Sequence, residues 1–362
     1  MRRHDLTRHS RRALAWALSA FVTAQLLLTW ALENGPPELR DPEYGRKLAL
    51  LRQRLAESRP GRPLVLFLGS SRVGVGVRPS LVMDPSNTSP NAPLVFNFAI
   101  CRAGPVMELL CLRRLLDEGI RPDLLLIEVW SPLMHDRGQL EADSIATRRL
   151  SFSDLARLSR YHRDRRSLFL SWLGERLVPT STYATEWLRR SAPWLLGDRR
   201  QADLDWWGLD AWGWLDIPAF ESLGPLPLWR RRTESVHRAY AGALTGPLAL
   251  RADEDRPLHE LLALCRERRI RAALLLMPDE FLAQYHPAVR EGFETYLDEL
   301  GRRYDAPVLD MRTWVESDGF YDGVHLTHAV ADEFSARLRA WNLPQIGGTK
   351  AVAREAVSAP RR

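Results

Sequence analysis

The chain has 362 residues, 45% of them hydrophobic and 27% charged, which is an ordinary balance for a globular protein. The net charge of +6 comes almost entirely from arginines, many of them near the termini, and no nucleic-acid recognition motif accompanies it. We therefore expect no nucleic-acid partner. The three cysteines lack zinc-ligand spacing and do not form a disulfide framework, so we also expect no metal. No organic cofactor is expected.

The first predicted element is an apolar segment at residues 13–32, which contains no charged residue. Its length suits a helix that crosses a bilayer. Arginines crowd residues 1–12 and acidic residues follow the segment, so the positive-inside rule predicts a cytoplasmic N-terminus and an exported remainder. A cleaved signal peptide is the alternative, but the apolar run is long and no clean A-x-A site follows it. We expect a single-pass protein of a bacterial inner membrane, with its main domain in the periplasm or outside the cell.

The next segment, residues 33–61, reads as a linker followed by an amphipathic helix. Beyond it, near-continuous apolar runs alternate with amphipathic helical stretches, a pattern typical of parallel strands covered on both faces. We predict a flavodoxin-like three-layer α/β/α fold with about five parallel strands, divided between residues 62–130 and 251–342. The predicted strands are Pro63–Leu68, Leu94–Phe98, Leu124–Val129, Ala272–Met277 and Pro307–Leu309.

Residues 131–250 interrupt this alternation and carry eight of the thirteen tryptophans. A connection of this length must form an inserted subdomain or lid. Because it follows the third strand, we expect a largely helical cap over the carboxyl edge of the sheet. The polar tail at residues 343–362 is expected to be disordered.

The first chemical motif is Gly69-Ser70-Ser71-Arg72, directly after the first strand. A serine at the carboxyl end of such a strand is where an α/β sheet presents a nucleophile. The alternative is a tight turn that only caps the next helix. The motif is not a G-x-S-x-G elbow, and its glycines do not have dinucleotide-binding spacing.

The second motif is Asp322-Gly323-Val324-His325, in a polar loop after the last strand. Here Asp322 could orient the His325 imidazole toward a serine. An Asp-x-x-His pair alone is weak evidence, because a surface loop can contain one by chance. The setting before a helix that Thr327 can cap strengthens the prediction.

The third motif is the loop from Asn97 to Pro105, after the second strand. The backbone N–H of Gly104 in this loop could help to stabilise an oxyanion. A simple helix start at Gly-Pro is the equally plausible alternative.

The order of these motifs resembles the SGNH/GDSL hydrolase superfamily over residues 62–130 and 268–342. Gly69-Ser70-Ser71 matches block I with Ser71 as the nucleophile, Gly104 matches the glycine of block II, and Asp322 with His325 matches block V. The Gly-Ser-Ser form and the anchor are similar to exported relatives that acylate cell-surface polymers, such as alginate acetylation and teichoic-acid alanylation proteins. The resemblance implies a serine esterase or O-acyltransferase acting on a polysaccharide or related polymer, with a membrane-bound acyltransferase as a possible partner.

One departure from this pattern concerns block III, whose oxyanion-hole asparagine is missing from the segment Ile127–Pro132. Asn97, Ser131 or the Trp130 indole could substitute, or the hole could use only the N–H groups of Ser71 and Gly104. Loss of one such donor costs about 3 kcal/mol of transition-state stabilisation.

The predicted catalytic residues are therefore Ser71, His325 and Asp322, and the predicted oxyanion donors are Ser71, Gly104 and Asn97. Arg72, Arg102 and Trp130 are the predicted substrate-binding residues. The alternative hypothesis is a catalytically inert, carbohydrate-binding or scaffold component of an envelope assembly.

Overall fold

The structure is a computed structural model that describes residues 3–83, 92–134, 141, 145–195, 208–245, 249–250 and 252–340. The predicted disordered tail and two tryptophans of the predicted lid, Trp206 and Trp207, lie outside these ranges. The described chain divides into two compact units. One comprises Met1–Arg46 with Ile145–Leu204, and the other comprises Lys47–Ser144 with Asp205–Arg362.

The larger unit contains a five-stranded parallel sheet, which confirms the predicted fold class. Its strands are β1 (Leu64–Leu68), β2 (Leu94–Asn97), β3 (Leu124–Glu128), β4 (Arg271–Leu276) and β5 (Val308–Asp310). The strand order is β2-β1-β3-β4-β5, the order of flavodoxin-like folds. Phe67 pairs with Asn97 on β2 and with Leu126 on β3, so the ends of these three strands meet at one edge.

Most helices of the larger unit fall into two groups that pack together. The helices of the larger unit are α3 (Ser71–Gly76), α4 (Pro79–Val82), α5 (Pro105–Asp117), α6 (Ser131–Met134), α10 (Leu226–Leu244), α11 (Ala252–Glu267), α12 (Pro287–Tyr304) and α13 (His328–Arg339). Helix α13 packs against α3 and α4, whereas α11 packs against α5 and α12. Every residue of β1, β2 and β3 is buried, because apolar runs covered on both faces exclude water completely.

The smaller unit is helical. It contains α1 (Arg3–Asn34), α7 (Phe152–Leu158), α8 (Arg165–Leu177) and α9 (Pro179–Ser191), and α2 (Pro42–Glu57) begins in it. Residues Ser10–Asn34 of α1 form a stretch long and apolar enough to cross a membrane. The structure thus divides residues 131–250, which the sequence predicts to form one lid, between the two units.

Candidate active site

Ser71 lies at the turn between β1 and α3, where it is partly buried. Ser70 caps the helix, since its hydroxyl accepts a hydrogen bond from the Arg72 backbone N–H at 3.2 Å. Gly69 permits the close approach of the neighbouring strand, because a Cβ there would lie 2.8 Å from Glu128 Cβ. The cap and the glycine together make Ser71 the first residue of α3, at the carboxyl end of a central strand.

The loop after β5 holds the other two candidate residues. It is closed by an antiparallel bridge between Phe320 and Leu326. Within it, Asp322 Oδ1 accepts hydrogen bonds from the backbone N–H groups of Val324 at 3.1 Å and His325 at 2.9 Å. These two bonds fix the carboxylate and leave its second oxygen directed at the His325 ring.

The structure brings Ser71, His325 and Asp322 together, as the sequence predicts. Ser71 Oγ lies 2.7 Å from His325 Nε2, and His325 Nδ1 lies 2.8 Å from Asp322 Oδ2. An ionised carboxylate only accepts hydrogen bonds, so the Nδ1 atom carries the proton and Nε2 can accept the serine proton. The three side chains have the geometry of a serine nucleophile, a base and an orienting acid.

Asp322 is held in its ionised form. Burial opposes its ionisation, but the hydrogen bond and charge of His325 and the two backbone donors outweigh burial and lower the Asp322 pKa below its ordinary value. The carboxylate therefore stays charged across the neutral range and continues to accept from His325.

Part of the predicted lid covers the His325 loop, within the larger unit. The Phe220 ring stacks on the His325 ring with centroids 5.2 Å apart. In α10, the Trp229 indole N–H donates to the Phe320 carbonyl at 2.7 Å. No sequence pattern marks Phe220, because a single aromatic residue in a long connection gives no sign of the residue it will contact.

A groove of 390 Å³ lies between α10 and the segment after β4. It adjoins Gly323, since a Cβ there would lie 2.7 Å from Phe281 Cζ and 2.9 Å from Glu280 Oε2. Burial, followed by the negative charges of Asp322 and Asp279, raises the pKa of the half-buried Glu280 to about 7. The groove is lined by Thr233, Glu234, His237, Arg238, Phe281 and Gln284.

The Asn97 side chain forms hydrogen bonds within the protein, which contradicts its predicted role as an oxyanion donor. It is fully buried, and its amide donates to the carbonyls of Val73 at 2.8 Å and Val77 at 2.7 Å. Its side-chain oxygen accepts from the Ala99 N–H at 3.1 Å. Asn97 therefore links the end of β2 to α3 and has no donor to offer a substrate.

The Gly104 backbone N–H is also engaged. Glu141 Oε1 accepts it at 2.6 Å, and the same carboxylate accepts the N–H groups of Val106 at 2.8 Å and Met107 at 2.9 Å. Glu141 therefore caps the N-terminus of α5, where backbone donors favour an anion. Gly104 can serve an oxyanion only if this carboxylate moves away.

The Ser71 backbone N–H and the Ser131 hydroxyl are two other donors at the carboxyl edge of the sheet. Among the described residues, no group accepts a hydrogen bond from the Ser71 backbone N–H. The Ser131 hydroxyl, just after β3, is buried and has no partner among the described groups. Such an unsatisfied hydroxyl is uncommon in native structures, so Ser131 Oγ has a hydrogen-bonding capacity that the described residues do not use.

The predicted substrate contacts divide into two classes. Arg72 and Trp130 are buried: Arg72 Nη1 pairs with Glu128 Oε1 at 3.1 Å, and the Trp130 indole donates to Asp279 Oδ2 at 3.1 Å. The Arg72 guanidinium also lies 4.4 Å from the Trp130 ring centroid. Arg72 and Trp130 are therefore both engaged in contacts within the protein, and their role in substrate binding stays a prediction. Arg102, in contrast, is exposed.

The chain matches no family model, and no curated protein matches it.

Proposed function

We propose that this protein is a membrane-anchored, exported serine esterase or O-acyltransferase of the SGNH type. Its proposed substrates are acyl esters of a cell-surface polysaccharide or related polymer. The observation that carries the proposal is the pair of hydrogen bonds joining Ser71 to His325 at 2.7 Å and His325 to Asp322 at 2.8 Å. Ser71 and His325 are 254 residues apart, so local chain geometry does not account for their contact.

In the proposed reaction, Ser71 Oγ attacks the ester carbonyl carbon while His325 Nε2 takes the hydroxyl proton. The carbonyl oxygen becomes an oxyanion as the tetrahedral intermediate forms. His325 then returns the proton to the leaving alcohol oxygen, the carbon–oxygen bond breaks, and the acyl group remains on Ser71. Asp322 accepts the Nδ1–H bond throughout and stabilises the imidazolium.

Deacylation repeats these steps with an incoming hydroxyl. If water enters, the protein is an esterase; if a sugar hydroxyl enters, it is an acyltransferase. For the transferase reaction, a membrane-bound acyltransferase is the proposed source of acyl groups.

The proposed oxyanion donors are the Ser71 backbone N–H and the Ser131 hydroxyl. Ser131 is supported by its place after β3, beside β1, and by its buried, unpartnered Oγ. Removing one oxyanion donor typically lowers kcat by about 10²–10³-fold.

One observation favours the second candidate function, an inert binding or scaffold protein. Two of the three predicted oxyanion donors, Asn97 and Gly104, are already hydrogen-bonded within the protein. A protein that no longer catalyses acyl transfer has no need to keep these donors free.

The test is hydrolysis of p-nitrophenyl acetate by the full chain in detergent. Ser71→Ala and His325→Ala should each lower kcat by at least about 10³-fold, because residues that act as a unit lose their effect together. Asp322→Asn should also reduce kcat. Ser70→Ala is the matched control, since it removes the neighbouring hydroxyl and a helix cap but not the nucleophile. Wild-type turnover by Ser71→Ala would reject the esterase and favour the scaffold.

A further inference from the structure

Gln25 is a polar residue of the apolar helix α1, and the rest of its unit covers its side chain. Gln25 is 5% exposed, whereas its neighbour Leu26 is 64% exposed. An unpaired amide inside a bilayer would be costly, so a Gln in such a segment requires a partner.

The polar side chains of α1 form hydrogen bonds with the C-terminal end of α8 and the N-terminal end of α9, where these two helices meet. Gln25 Oε1 accepts from the Thr180 backbone N–H at 3.3 Å and from its hydroxyl at 3.1 Å. The Thr29 hydroxyl donates to the Arg176 carbonyl at 2.6 Å. Pro179, the first residue of α9, has no N–H to satisfy. Polar side chains of α1 thus form hydrogen bonds with backbone groups that the two helix ends leave unpaired. Non-helical backbone is tolerated at the depth of a membrane only where its polar groups find such partners within the protein.

The contacts along α1 also set the depth of this junction. At the C-terminal end of α1, Glu33 accepts from Arg176 Nε at 2.8 Å and from the Phe152 backbone N–H at 2.9 Å. Gln25 lies eight residues earlier, which corresponds to about 12 Å along a helix. Half of a bilayer's hydrocarbon core is about 15 Å thick. The junction therefore lies beside the apolar part of α1, while the Arg176 guanidinium reaches back to the polar end.

The junction exposes two apolar side chains beside one polar residue, Ser181, whose hydroxyl donates to the Val178 carbonyl at 3.1 Å. Leu177 is 61% exposed, and Val178 beside it is also exposed. Farther back along α8, Phe169 and Leu170 are exposed, and the Phe169 ring stacks on Trp172 with centroids 6.2 Å apart. Adjacent exposed apolar groups mark an interaction surface. This surface lies where α8 and α9 pack against α1, whose own apolar side chains Leu26 and Leu27 are exposed. The Phe152 and Trp172 rings, with centroids 5.8 Å apart, lie near the polar end of α1, because the Phe152 N–H donates to Glu33.

We propose that the junction of α8 and α9, with Leu177 and Val178 at its tip, inserts into the bilayer leaflet that surrounds the C-terminal half of α1. This inference rests on the proposed membrane anchor and is independent of the proposed chemistry. The protein is then held by a helix that spans the membrane and by a second element that enters one leaflet from the side. The partner of this surface is the acyl-chain region of lipid.

The experiment uses the full chain in phospholipid vesicles, with Cys101→Ala as background because the other two cysteines are buried. Single cysteines placed by Leu177→Cys, Leu18→Cys and Arg166→Cys carry an environment-sensitive fluorophore. Arg166 is an exposed polar residue at the start of α8, about 16 Å along the helix from Leu177. Lipids with a nitroxide on the acyl chain should remove most of the emission at positions 18 and 177 and little at 166.

Each other outcome overturns the inference in a distinct way. Quenching at 18 without quenching at 177 leaves the anchor in the membrane and places the junction outside it. Blue-shifted, unquenched emission at 177 means that a protein, another copy or a partner, covers the surface instead of lipid. Quenching at neither position rejects the membrane anchor as well. None of these outcomes depends on esterase activity.

Discussion

Replacing Arg72 with methionine should destabilise the protein strongly. Arg72 Nη1 pairs with Glu128 Oε1 at 3.1 Å, and Arg72 Nη2 donates to the Pro278 carbonyl at 2.7 Å, with both charged side chains buried. Removing one partner of a buried ion pair costs about 3–5 kcal/mol, because the remaining charge is left uncompensated. Glu128 would keep one donor, the Ser70 backbone N–H at 2.7 Å, so we expect the lower end of that range.

Thermal unfolding of the full chain in detergent, followed by near-ultraviolet circular dichroism, measures this loss. For a unit of about 150–250 residues, 1 kcal/mol shifts the midpoint by about 2–4 °C, so Arg72→Met should lower it by about 6–12 °C. Arg102→Met is the matched control: it removes an exposed arginine and should leave the midpoint unchanged. Adding Glu128→Gln to Arg72→Met should recover part of the loss, because the buried charge is gone.

A substrate-binding role for Arg72 predicts a different result. In that case Arg72→Met would raise KM at an unchanged thermal midpoint. An unaltered midpoint would refute the buried ion pair as the main role of Arg72.

Three further predictions concern the site. Ser131→Ala should lower kcat by about 10²-fold without lowering the thermal midpoint, since the hydroxyl it removes has no partner; a lower midpoint with normal kcat would contradict the oxyanion role. Gly323→Ala should reduce stability by about 1–3 kcal/mol and reduce activity too, because φ is +94° and the added Cβ meets Phe281 at 2.7 Å. Burial and the charge of Asp322 raise the pKa of Glu280 to about 7 in the folded protein. Folding therefore favours the protonated carboxyl group. Its contribution to stability is fully present below the pKa of the unfolded chain and is lost as the pH rises through 7, where the buried group must ionise. The free energy of unfolding of Glu280→Gln should therefore equal that of wild type near pH 4. At pH 8 it should exceed the wild-type value by about 1–2 kcal/mol, after discounting for solvent screening of this half-buried group. A difference in thermal midpoint between Glu280→Gln and wild type that stays constant with pH would refute the raised pKa of Glu280.

The sequence by itself predicted the five parallel strands and placed Ser71, Asp322 and His325 in loops that follow strands. Leu64–Leu68 is apolar at every position, which a strand buried on both faces requires, and the structure contains that strand. Ser71 and the Asp322–His325 motif follow β1 and β5, and parallel strands end at a common edge. Because each of these residues follows a strand, their approach to one another could be predicted although they are far apart in the chain.

Only the tertiary structure decided which polar groups remain available for chemistry. Asn97, Gly104 and Arg72 look like free donors in the sequence, but each is hydrogen-bonded to groups supplied by another segment. The pairing of Gln25 with Thr180 likewise joins residues 155 positions apart, with no pattern that marks either one. Apolar periodicity is a local property that the chain displays along its length. The partner of a buried polar atom depends on which distant segment approaches it, and that is settled only when the whole chain packs.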